Sequence, residues 1–133
     1  MGALEIPPSP DRVTRDWLTE ALRSTGFLDP AGKVRSFGFT VLGEGKGFTG
    51  CVCRMDLEYV GQAASLPASI IAKFPPADVD VHAALHGYRI YEREHGFYHS
   101  GARTPGFRVP ICYYGDVDLE SGASILLLED LDP

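Results

Sequence analysis

The chain has 133 residues, 44% hydrophobic and 23% charged, which fits one soluble globular domain with a single core and excludes a disordered chain. Twelve Lys and Arg against eighteen Asp and Glu give a net charge of -6 with no basic run, so a nucleic-acid partner is not expected. No stretch approaches a membrane span, MGALEIPPSP lacks the features of a secretory leader, and Ile6 breaks the myristoylation pattern, so no membrane partner and a cytoplasmic location are expected.

After the extended lead-in IPPSP, VTRDWLTEALRSTGF reads as a short helix. Thr14 caps it, Val13 and Leu18 stand at hydrophobic-staple positions, Trp17, Leu18, Ala21 and Leu22 form the buried stripe, and Gly26 stops it. VRSFGFTVL (34 to 42) and CVCRMDLEYV (51 to 60) read as strands, the second alternating so that Cys51, Cys53, Met55, Leu57 and Tyr59 share one side. Cys51 and Cys53 lack the spacing of a zinc knuckle and read as core residues; no metal site is expected.

ASIIAKF (68 to 74) reads as a third strand, ended by Pro75 and Pro76. DVDVHAALHGYRIYEREHGFYHSGA reads as one long helix, opening near Asp78 or Asp80 and closing by about Gly101. Two more strands, FRVPICYYG and ASILLLE, are joined by DVDLESG with its Glu-Ser-Gly turn. The layout is α+β: helix, three strands, helix, two strands.

Gly45-x-Gly47-x-x-Gly50-x-Val52 joins two strands, so it neither opens a helix, as a dinucleotide loop must, nor carries the Lys-Ser or Lys-Thr of a Walker loop. It reads either as a plain hairpin turn or as a flap whose backbone N–H groups approach phosphate oxygens, which the missing Cβ atoms allow.

Lys73 places one ammonium group in an otherwise apolar strand, where it either snorkels into water from an edge or meets a counter-charge. At ~100° per residue, Ala83, Gly87, Ile90, Tyr91, Phe97 and Tyr98 cluster around Glu94, which therefore sits within the apolar stripe of the long helix. Glu94 is then either the partner of Lys73 or, if the stripe lies elsewhere, solvated. His82 and His86, and His95 and His99, flank that stripe on opposite sides and read as exposed or capping residues rather than zinc ligands. SILLLEDLDP reads either as a plain central strand and turn or, in a nucleotide site, as a strand whose following backbone offers N–H and C=O groups to an adenine edge.

Glycine flap, strand lysine, helix glutamate and LLLEDL, in that order, resemble the N-terminal lobe of the protein-kinase-like fold. The closer likeness is to the aminoglycoside phosphotransferase and ecdysteroid-kinase-like families of small-molecule kinases. VTRDWLTEALRSTG looks like their leading helix, EHGFY like their E-x-x-F-Y helix motif, and LLLEDL like their hinge.

The resemblance implies a five-stranded antiparallel sheet with one long packed helix and a short N-terminal helix. A single lobe would span 1 to 133: a leading segment 1 to 30, a glycine-loop hairpin 34 to 60, and the lysine strand, helix, last strands and hinge over 68 to 133. It further implies that Gly45, Gly47 and Gly50 cover the phosphates of ATP, that Lys73 bridges the α and β phosphates, and that Glu94 orients Lys73. Val52 and Ile71 would bracket the adenine, and Glu129 and Leu131 would supply hinge backbone groups. Ile71 departs from protein kinases, which usually carry Ala there.

The C-lobe of these families, with its catalytic loop and its magnesium ligands, is absent from the sequence, so residues 1 to 133 alone are expected to be inactive. The expected partners are ATP with magnesium and a small-molecule hydroxyl acceptor. Without a second lobe, an exposed underside around Val52, Ile71 and Leu128 predicts self-association. The alternatives are a non-catalytic binding or regulatory module of the same shape, and a structural domain in which Lys73 and Glu94 merely pair.

Overall fold

The structure, a computed structural model, describes residues 4–42, 51–61, 66–76, 79–87, 89–98 and 110–131. The first helix, α1 (Arg15–Ser24), begins where Thr14 Oγ1 accepts the Trp17 N–H at 3.0 Å, satisfying one of the N–H groups that a helix start leaves without a partner. It ends at Gly26, whose φ of 82° is the left-handed turn that a Cβ disfavours. Leu18, Ala21 and Leu22 are buried, and Trp17 Nε1 donates to Glu5 O at 2.6 Å, which ties the lead-in to the helix.

Five strands follow: β1 (Lys33–Leu42), β2 (Cys51–Val60), β3 (Ser69–Phe74), β4 (Cys112–Val117) and β5 (Ser124–Glu129). They form one antiparallel sheet in the order β1-β2-β3-β5-β4. Between β4 and β5, Asp118 Oδ1 accepts the N–H groups of Glu120 and Ser121, and Asp118 O accepts that of Gly122, closing the expected Glu-Ser-Gly turn.

Side chains alternate between the two faces of a strand, so the register sorts the sheet. Cys53, Met55 and Leu57 of β2, Ile70, Ala72 and Phe74 of β3, and Ile125 and Leu127 of β5 pack with α1 into one core. Each large apolar side chain removed from water there contributes about 1.5–3 kcal/mol. Thr19 Oγ1 accepts the Val34 N–H at 2.9 Å, and Thr25 Oγ1 donates to Tyr113 O at 2.7 Å, so α1 is tied to β1 and β4.

The single long helix is corrected. Two helices, α2 (Val79–Gly87) and α3 (Ile90–Gly96), occupy that stretch, separated at Arg89, whose φ of 60° is left-handed. Gly87, with its low helix propensity, ends α2, and the Arg89 N–H closes on His86 O at 3.0 Å. The Arg89 guanidinium then grips Glu92 with Nε and Nη2, at 2.7 and 2.6 Å, across the first turn of α3. The change of direction also breaks the expected stripe: Ala83, Gly87 and Phe97 are exposed, and the buried members of α3 are Tyr91 and His95.

The fourth strand starts at Cys112, later than expected, after a proline that has no N–H to give to a ladder. Among the described residues, no helix is long and apolar enough to cross a membrane.

Candidate functional site

The face of the sheet away from α1 is organised in two rows. Val52, Lys73 and Leu126 are directly opposite one another across β2, β3 and β5, and Arg54, Ile71 and Leu128 form the next row. Lys73 thus emerges between two apolar neighbours, beside Ile71 on its own strand.

Helix α3 is seated at the β5 end of this surface by His95. That imidazole is 4% exposed, with Nδ1 2.8 Å from Tyr91 O and Nε2 3.1 Å from Ile125 O. A neutral ring donates to one of these carbonyls at a time, and an imidazolium donates to both. Gly115 makes the close approach possible, since a Cβ there would stand 3.0 Å from Leu126 Cδ2 and 3.3 Å from His95 Cδ2. With α3 in this position, Lys73 Nζ donates to Glu94 Oε2. The side chains are 26% and 29% exposed, so the pair is partly hydrated and adds on the order of 1 kcal/mol or less to stability. Burial, and then the charge of Glu94, push the hydroxyls of Tyr91 and Tyr98 upward, which keeps both protonated around the pair.

At the other end of the face, Asp130 follows β5 with its side chain 3% exposed. Its Oδ2 lies 3.0 Å from Arg54 Nε of β2 and accepts the Ser69 hydroxyl of β3 at 2.9 Å. The charge of Arg54, whose Nε is close to the carboxylate but not aligned to donate to it, and the Ser69 hydrogen bond make such a buried carboxylate tolerable. The Glu129 N–H donates to Ile111 O at 2.8 Å, and Glu129 Oε1 accepts the Ile111 N–H at 3.2 Å, while Leu131 is exposed.

Of the residues singled out from the sequence, Lys73, Glu94, Val52 and Ile71 come together, and Glu129 and Leu131 flank Asp130 at the end of β5. Gly45, Gly47 and Gly50 lie outside the described residues. Leu128, expected to be exposed, is buried at 4%, because it stands inside the sheet between Ile71 of β3 and Cys112 of β4, and Val52 and Ile71 are half-buried.

The histidine reading is corrected as well. His95 is buried rather than exposed, while His82 Nδ1 lies 2.8 Å from the Tyr91 hydroxyl and His86 Nε2 lies 3.2 Å from Glu120 O. His99 lies outside the described residues. The Arg54–Asp130 pair and the anchoring role of His95 were missed. The sequence signal for the first was a second acidic residue, after Glu129, at the end of a run of leucines.

A groove of about 670 Å³ lined by Glu5, Asp116, Asp118 and Glu120 lies elsewhere and includes neither Lys73 nor Glu94. Among the described residues, no group of three or more His, Cys, Asp or Glu is placed to hold a metal ion.

No protein-family model, curated protein or solved structure matches the chain. Among the described residues, fold and site define a small α+β domain with a five-stranded antiparallel sheet and three α-helices. A lysine–glutamate ion pair stands on the half-apolar face of that sheet.

Proposed function

We propose that this domain is the nucleotide-binding lobe of an ATP-dependent phosphotransferase that delivers the γ-phosphate to a hydroxyl of a small molecule, on a protein-kinase-like fold. One observation carries the reading: an ammonium group held by a helix carboxylate and set between apolar neighbours, Val52 and Leu126, on one face of the sheet. In such a site Glu94 fixes the direction of Lys73, and Lys73 neutralises the α and β phosphates. Val52 and Ile71 offer an apolar slot for a base, and the backbone at Glu129 and Leu131 offers polar groups for its edge. Phosphoryl transfer asks the protein mainly for position and charge, which such a pair supplies at the nucleotide end. Magnesium would accompany ATP, held by the second lobe that the resemblance implies.

Calorimetric titration with Mg-ATP tests the reading. Saturable binding that is lost in Lys73→Ala supports it, and binding of equal strength in that variant contradicts it.

A further inference from the structure

We infer that the Arg54–Asp130–Ser69 network is a positioning device for the base end of the nucleotide site, with Asp130 as its keystone. The inference rests on the nucleotide reading above and assigns that site three further residues. Asp130 lies between Glu129 and Leu131, the two residues whose backbone is offered to the base. Its carboxylate is almost wholly withdrawn from water, at 3% exposure, and is joined to two other strands, β2 through Arg54 Nε at 3.0 Å and β3 through Ser69 Oγ at 2.9 Å.

A chain leaving the end of a strand is ordinarily free to choose its direction, and side-chain anchors of this kind remove that freedom. Arg54 is directly opposite Ile71, and Ile71 directly opposite Leu128, so the network borders Ile71, one of the two side chains proposed to face the base. Asp130 therefore acts through its neighbours, fixing the Glu129 and Leu131 peptides against the apolar slot. Lys73 stands in the adjacent row beside Val52 and is held by Glu94 from α3, so Lys73 at the phosphate end and the peptides after β5 at the base end have separate supports.

That separation can be measured by titrating the full chain, followed by backbone amide NMR, with two probes: adenosine, which lacks phosphates, and inorganic tripolyphosphate, which lacks a base. Asp130→Asn, which keeps the shape and removes the charge, is expected to weaken adenosine binding by about tenfold and leave tripolyphosphate within about twofold. Ser69→Ala, a milder change, is expected to shift adenosine in the same direction by a few-fold. Lys73→Ala is expected to show the reverse pattern. A merely structural role would weaken both probes in parallel with melting temperature, and that result overturns the inference. Equal adenosine binding by wild type, Asp130→Asn and Ser69→Ala overturns the inference alone. A wild-type chain that binds neither probe overturns the nucleotide reading and the inference with it.

Discussion

Glu94 and its neighbour His95 attach α3 to two different strands, the first through Lys73 of β3 and the second through Ile125 O of β5. A helix of seven residues is too short to be stable by itself in water, so its position is set by what it touches. Consecutive residues on a helix point about 100° apart, and here that angle spans the distance between two strands. The ion pair therefore depends on the imidazole beside it.

Replacing the imidazole should show this dependence. His95→Leu removes the buried imidazole between Tyr91 O and Ile125 O and is expected to cost about 1–2 kcal/mol in urea unfolding, with partial recovery in His95→Gln. Wild-type stability in His95→Leu would mean that the anchor contributes nothing.

Gly115 is the second half of the same contact. Its added Cβ would meet two side chains that cannot easily move, Leu126, buried on the sheet face away from α1, and His95 between its carbonyls. Gly115→Ala is expected to destabilise the fold by about 1–3 kcal/mol through overpacking, read from the urea midpoint at unchanged slope.

The break between α2 and α3 shows where sequence reasoning stopped. Val79 to Tyr98 keeps a helical distribution of apolar residues, and Gly87 alone hints at an interruption. A left-handed Arg89, with its N–H closed on His86 O and its guanidinium gripping Glu92, is a local geometry that periodicity does not reveal. Glu94 was legible because its local register with Tyr91 does not depend on α2. The inward turn of His95 was not, because its cause is Gly115, distant in sequence on another strand. Strands β2, β3 and β5 were readable almost to the residue, since alternation and runs of buried leucine depend only on which faces are covered. The Asp130 network was illegible for the opposite reason: its three members come from three separate segments.

Alkaline pH should weaken the fold through the core thiol. Burial, with a smaller contribution from Cys51, pushes Cys53 from 9.0 up to about 12. Above about pH 9 the unfolded chain gives up a proton that the folded chain keeps, so stability is complete below that pH and falls as pH rises toward 12. Cys53→Ala is expected to flatten this slope in urea unfolding at successive pH values. An unchanged slope would assign the effect to the buried tyrosines, whose hydroxyls burial also pushes upward.

At the start of α1, Thr14→Ala removes the acceptor of the Trp17 N–H and is expected to cost about 1 kcal/mol, with Thr14→Ser restoring most of it. Thermal unfolding followed by far-UV circular dichroism would register the change. Equal melting temperatures for wild type and Thr14→Ala would show that the cap adds no net stability.

Phosphorus NMR of ATP, with and without the protein, addresses the role of Lys73 most directly. The account predicts that the α and β phosphate resonances move on addition of the wild-type chain and stay in place with Lys73→Ala. Resonances that never move, or that move equally with the variant, would contradict it.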